Sequence, residues 1–249
     1  MKKRQTALPA KPRIARILEA LRRDHPTPRV ELDHANPLQL VIATILSAQC
    51  TDARVNRVTP DLFQRYPDAA AFARARPADL EQAIRSTGFF RAKARSILGC
   101  CRDLVEKHAG RVPSTMEELT RLPGVGRKTA NVVLGAGYGI ASGIVVDTHM
   151  ARVTRRLGLT RRDDPEGVEQ DLMRAIPRAE WIFFSIAMVL HGRYVCLARR
   201  PRCGECSLNP HCPSSHLEAE ATGVRGLRRT GARRKGAAVG RSRPAPPRS

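Results

Sequence analysis

The 249-residue sequence predicts an all-α fold. Three observations carry that reading: apolar residues recur at helical spacing along most of the chain, Asn-Pro and Asp-Pro pairs mark helix starts, and no convincing alternating strand is found. The most strand-like run, Ile144-Val145-Val146, is short and leads straight into Asp147, a preferred N-cap.

Taken in order, Asn36 is an N-cap with Pro37 at the first helical position, opening a helix from Leu38 to Gln49. That segment is apolar on almost every side, so it is expected to be a central buried helix. Phe89 to His108 is long and amphipathic, with Gly110 as its stop. Ser114 and Glu117 have capping-box spacing before Leu119 and Leu122. Asp164-Pro165 opens a helix through Ile176, and Pro177 starts the next through Trp181 and Met188. Trp181, Phe183 and Phe184 read as core.

The net charge of +21 exceeds what solubility needs. It points to a polyanion, most simply nucleic acid, whose phosphates reward each cation by counterion release. A solvated arginine-rich surface would explain the charge equally well, so its location matters. Residues 1–13 carry a net +5 and residues 217–249 a net +7, leaving +9 for the body. The body is therefore basic in its own right. Past Ser215 the composition turns to Gly, Ala, Arg and Pro without an apolar pattern, and disorder is expected over 217–249. The N-terminus lacks the apolar run of a secretory signal, and no run reaches bilayer-spanning length. A cytoplasmic protein with no membrane partner is expected.

The most informative local feature is the turn Leu122-Pro123-Gly124-Val125-Gly126 between two helices. Gly124 and Gly126 let the backbone turn tightly and approach another surface closely. The helix after the turn offers free N–H groups to a phosphate oxygen. An ordinary helix connection is the bland alternative. A nucleotide-binding P-loop is excluded, because Arg127 separates Gly126 from Lys128 and a helix stands where a strand is needed. Lys128 lies in the first turn of the new helix, where the dipole and partial burial favour the neutral amine. An amine that attacks a sugar carbon can form a Schiff base; the bland alternative is a phosphate-contacting or merely exposed lysine. Asp147 is either a simple N-cap or a carboxylate that stabilises positive charge developing on the sugar.

Cys196, Cys203, Cys206 and Cys212 are spaced x6, x2, x5. In a reducing compartment such a cluster indicates a metal site rather than disulfides. Four thiolates suit tetrahedral zinc or a four-iron cluster, but structural zinc usually shows two close cysteine pairs and here only Cys203 and Cys206 form one. The first interval holds Arg199, Arg200 and Arg202, a candidate phosphate-binding knob.

The stretches Leu122–Leu134 and Val146–Val153, with the cysteine spacing, resemble the helix-hairpin-helix DNA glycosylases of the endonuclease III family. The resemblance extends over most of residues 14–215. It implies two helical lobes with a DNA-binding cleft between them: a six-helix barrel over 31–141, and an iron–sulfur lobe made of 14–30 and 142–216. A flexible basic N-terminus (1–13) and the tail (217–249) complete the organisation. The resemblance implies Lys128 as the Schiff-base nucleophile, Asp147 as the catalytic carboxylate, and a [4Fe–4S] cluster on the four cysteines. It also implies removal of oxidised pyrimidines from double-stranded DNA, strand cleavage at abasic sites by β-elimination, and a monomer acting on the bacterial nucleoid. DNA contacts fall on Gly124, Gly126, Arg127, His149 and Arg200. Gln49, in Leu46–Asp52, matches a glutamine that inserts into DNA, and Phe89, in Gly88–Lys93, falls on the apolar wedge position, where better-known members have leucine.

Two rivals remain. An adenine-specific mismatch glycosylase shares the fold and cluster, but its lysine position is normally not lysine, and residues 34–51 here contain no Asp or Glu to protonate adenine. A non-catalytic DNA-binding module would have no need of both Lys128 and Asp147.

Overall fold

The computed structural model describes residues 11–215, so the expectations for the basic N-terminus fall mostly, and those for the tail wholly, outside the described residues. Among the described residues there are eleven α-helices and no strand. They are α1 (Lys11–Asp24), α2 (Pro37–Leu46), α3 (Asp52–Arg65), α4 (Ala69–Ala73), α5 (Pro77–Ala83), α6 (Phe90–His108), α7 (Met116–Arg121), α8 (Arg127–Val132), α9 (Thr148–Arg156), α10 (Pro165–Ala175) and α11 (Trp181–Tyr194). A π-helical turn, Val133–Gly137, prolongs α8. None of the described helices is long and apolar enough to cross a membrane.

Two apolar cores divide these elements. The first gathers α2 to α8 around Leu40, Val41, Phe72, Ile97 and Leu104. The second joins α1 to the C-terminal half through Ile17, Leu21, Met150, Leu172, Phe184 and Met188. Helix α2 buries six of its ten residues, as a segment apolar on all sides must. Trp181 and Phe184 are buried, with Trp181 Nε1 donating to Ile176 O at 2.9 Å. Phe183 is only partly buried and carries the Arg22 guanidinium 4.9 Å above its ring.

Several helix ends differ from the sequence reading. Asn36 caps α2 by accepting from Gln39 N at 3.0 Å, but α2 stops at Leu46 rather than Gln49. Ser47 Oγ bonds back to Thr44 O, and Gln49 takes a left-handed φ of 53°, so the helix cannot continue. The cap of α7 is Thr115 with Glu118, not Ser114 with Glu117: Thr115 Oγ1 accepts from Glu118 N at 3.3 Å and donates to the Glu118 carboxylate. Both pairs have the required spacing, and geometry selects the later one. Phe89 stands before α6 rather than within it, with φ 47°. Pro177 is extended, and a 3-10 turn at Arg178–Glu180 leads into α11.

Candidate active site

Helices α7 and α8 form a hairpin around Leu122–Gly126. Gly124 has φ +79°, and a Cβ there would lie 2.7 Å from Ser96 Cβ, so the turn itself requires glycine. Gly126 has an ordinary φ of −89°, and a Cβ would meet nothing within 4 Å. Its smallness instead leaves open space before α8, whose first N–H groups have no side-chain cap.

Lys128, the second residue of α8, is exposed, which corrects the expected partial burial. Arg127, expected on DNA, is engaged within the protein. Its Nε donates to Glu169 Oε2 at 2.7 Å and its Nη2 to Oε1 at 3.2 Å. Asn131 Nδ2 donates to the same Oε1 at 2.8 Å. Glu169, on α10, is buried, so this trio fastens α8 of the first core to the second. Gly143 makes room for it: a Cβ there would sit 2.2 Å from Glu169 Oε1.

Lys128 and Asp147 line one cavity, together with Thr44 and Ser47 from the α2 end and Ile182, Ile186 and Val189 from α11. Asp147 is half-buried and caps α9, its Oδ1 accepting from Met150 N at 2.7 Å. Among the described residues its Oδ2 takes no such bond. The capping and chemical readings of this aspartate are therefore compatible. Gln49 and His149 line a neighbouring, more open hollow. Arg152, one turn after His149, approaches its Nδ1 at 3.3 Å and donates to Gly192 O and Cys196 O. Phe89 lines neither hollow and stands 66% exposed.

The wall shared by both hollows contains Glu31, Asp52 and Arg193. Arg193 Nη1 donates to both carboxylates, and Tyr194 OH donates to Glu31. Sequence reasoning missed this group, as it missed Glu169. Its members come from three distant segments, and no spacing rule joins them.

The four clustered cysteines are half-buried and free of disulfides. Burial pushes the Cys206 thiol up to about 11, and the charges of Cys196, Cys212 and Cys203 add to the rise. Among the described residues no group of three or more His, Cys, Asp or Glu converges as a mononuclear metal site requires. Four half-buried, disulfide-free cysteines within one loop supply the four thiolates that an iron–sulfur cluster takes. Two 3-10 turns, Cys203–Glu205 and Asn209–His211, shape the loop. Arg156 of α9 donates to Cys196 Sγ at 3.2 Å and to Leu197 O at 2.7 Å. His191 is buried beside the loop, with Nε2 3.4 Å from Cys206 Sγ, and burial lowers its pKa to about 4. Arg199, Arg200 and Arg202 are all exposed, Arg200 with a left-handed φ of 53°.

Comparison with known proteins is consistent with this arrangement. Residues 42–178 match the model of the HhH-GPD superfamily of base-excision DNA-repair proteins, and residues 196–212 match the iron–sulfur binding domain of endonuclease III. The endonuclease III of Synechocystis sp. is 55% identical over 205 residues, covering 82% of this chain and 94% of the relative. A solved non-covalent endonuclease III–DNA complex superposes with a TM-score of 0.80 at 43% identity, over 86% of this chain and all of the other. A trapped endonuclease III–DNA covalent intermediate gives 0.79 at 43% identity, over 85% and 99%.

Proposed function

Because the chain belongs to the endonuclease III family of HhH-GPD base-excision DNA-repair proteins, we propose that Lys128 and Asp147 are its catalytic pair. The enzyme is a bifunctional DNA glycosylase and abasic-site lyase, and it carries a [4Fe–4S] cluster. The observation that carries the residue assignment is that Lys128 and Asp147, from helices of two different cores, open onto one cavity.

A base within a duplex is out of reach, so the damaged nucleotide swings out into this cavity, at a cost that damage itself lowers. The Lys128 amine attacks C1′ of the sugar and gives up a proton as the glycosidic bond breaks, the glycosidic electron pair leaving with the base, which is protonated in turn. Asp147, fixed by its own cap, stabilises the positive charge that develops on the sugar. Ring opening, in which O4′ leaves C1′ with the bonding pair and takes up a proton, gives the Schiff base; this makes the C2′ proton labile, and its loss expels the 3′ phosphate oxygen, which is β-elimination. Gly124 and Gly126 bring the hairpin against the DNA backbone, while Gln49 and Phe89 fill the vacated stack. His149 and Arg200 contact DNA nearby. Arg127 holds α8 to Glu169 and thereby positions Lys128.

Cys196, Cys203, Cys206 and Cys212 hold the cluster in this reading. When bound, the cluster cross-links four chain positions and fixes the shape of the arginine-bearing loop. The substrate is duplex DNA bearing oxidised pyrimidines or abasic sites, and the enzyme acts as a monomer in the bacterial cytoplasm, on the nucleoid. The 55% identity to a bacterial endonuclease III supports this reading.

Borohydride trapping tests the catalytic pair. Abasic-site DNA is expected to form a covalent adduct with the cluster-loaded protein and none with Lys128→Ala. An adduct that survives the substitution would assign the nucleophile elsewhere. A panel of single-lesion duplexes tests the substrate class, with oxidised pyrimidines expected to be excised fastest.

A further inference from the structure

Lys93 is a charged side chain that the mechanism above does not use, yet it is only 5% exposed. It lies in the first turn of α6, and its Nζ donates to two backbone carbonyls, Leu46 O at 2.7 Å and Thr87 O at 2.8 Å. Leu46 is the last residue of α2, so the first bond satisfies a carbonyl the helix leaves open and sets a cation at its negative dipole end. Thr87 closes the 3-10 turn Arg85–Thr87, and its own hydroxyl is tied to Ile84 O at 2.8 Å.

The backbone just beyond each carbonyl is unusual. Gln49 comes three residues after Leu46 and has φ 53°; Phe89 comes two residues after Thr87 and has φ 47°. A left-handed backbone is uncommon for residues other than glycine and persists only where the surroundings enforce it. Both side chains project into solvent, Phe89 being 66% exposed. Burial lowers the Lys93 pKa from the ordinary lysine value, against a smaller opposing effect of Cys50, so this charge is kept inside at a cost.

We propose that Lys93 is a positioning residue that anchors the Gln49 loop and the Phe89 loop to a single buried ammonium, so that the two enter the DNA stack as one rigid unit. The inference rests on the reading that Gln49 and Phe89 fill the vacated stack. Lys93 touches neither substrate nor cluster; it acts by fixing the backbone from which both probes project. Without it, each probe would remain, but the two would no longer be registered with each other.

The test is Lys93→Met in the full-length, cluster-loaded protein, since methionine keeps the length of the side chain and removes its donors. Two substrates separate the roles: a duplex with one oxidised pyrimidine and 2-aminopurine opposite it, and a single-stranded oligonucleotide with an abasic site. Single-turnover excision from the duplex is expected to fall at least roughly tenfold, the scale of one missing charge-assisted hydrogen bond, with a matching loss of the 2-aminopurine signal. Lyase cleavage of the single strand, counted per borohydride-trappable molecule, is expected to stay within about twofold, a change small on the free-energy scale of one hydrogen bond. In the Lys93→Met background, Gln49→Ala and Phe89→Ala should add little further loss.

An unchanged duplex-to-single-strand ratio would overturn the proposal, whether Lys93→Met is fully active or equally weakened on both substrates. Should the methionine variant yield no trappable protein, Lys93→Gln is read by the same ratio. The single variants Gln49→Ala and Phe89→Ala separate the anchor from the stack-filling role on which it rests. If neither alters the 2-aminopurine signal, the stack-filling reading falls and the anchor with it. If both lower it and Lys93→Met does not, only the anchor falls.

Discussion

Replacing Glu169 with glutamine removes the charge that ties the hairpin's second helix to α10. Glu169 accepts from Arg127 Nε at 2.7 Å, from Arg127 Nη2 at 3.2 Å and from Asn131 Nδ2 at 2.8 Å. A glutamine in the same place keeps one acceptor oxygen and turns an NH2 group towards donors. The bond from buried Asn131 to a charged acceptor is worth about 1.5–3 kcal/mol. Breaking a fully buried ion pair would cost more, but the Arg127 side chain is 47% exposed and rehydrates, so its share is discounted. The total is about 2–3 kcal/mol, and at roughly 2–4 °C per kcal/mol for a chain of this size the thermal midpoint should fall by about 5–10 °C. Lys128 is the next residue after Arg127, so loosening the start of α8 also displaces the amine. A misplacement of about 1 Å lowers the rate on the order of a hundredfold. Thermal unfolding of the cluster-loaded protein and single-turnover borohydride trapping read the two effects separately. If Glu169→Gln changed neither the midpoint nor the trapping rate, the trio would be a solvated surface pairing, and its proposed hold on Lys128 would be wrong.

Four further outcomes are expected. Gly143→Ala should weaken the same trio from the opposite side, since its Cβ would lie 2.2 Å from Glu169 Oε1; a midpoint equal to the parent's would contradict this. Gly124→Ala should destabilise by about 1–3 kcal/mol, and adding Ser96→Gly should recover only part, because relieving the clash leaves the φ of +79° strained; full recovery would show that the clash was the whole cost. Cys100 and Cys101 are fully buried, burial pushing the Cys100 thiol up to about 12 and Cys101 further, so neither should be alkylated at pH 8 until the protein unfolds. Peptide mass spectrometry of alkylated folded protein would expose the opposite. Removing residues 217–249, which carry nine Lys and Arg, should flatten the salt dependence of DNA binding by about 0.9 in log–log slope for each phosphate the tail neutralises, leaving lesion choice intact. An unchanged slope would make the tail a bystander.

The legible part of this protein is the part made within three or four residues of chain. Asn36-Pro37 and Asp164-Pro165 announce helix starts because an N-cap bonds a backbone N–H three positions on, a distance the sequence spans directly. The hairpin turn is legible for the same reason, as Gly124 is demanded by its own φ. Even local rules fail where two solutions compete: Ser114 with Glu117 and Thr115 with Glu118 fit the same pattern, and only geometry chose. The four-cysteine spacing was legible because one short loop carries every thiol.

Tertiary structure decided how these pieces engage one another. Arg127 reaches a glutamate 42 positions away, Arg193 joins carboxylates 141 and 162 positions away, and Lys93 meets a carbonyl 47 positions away. Such partners are selected by packing of helices, for which periodicity supplies a buried face but no address. The exposure of Lys128 belongs to the same class. A first-turn lysine can be buried or open depending on what stands across from it, and here an open cavity does. The sequence by itself marked Lys128 and Asp147 as candidates for the chemistry; the meeting of two cores determined that they share one space, because only packing brings α8 and the cap of α9 to the same wall.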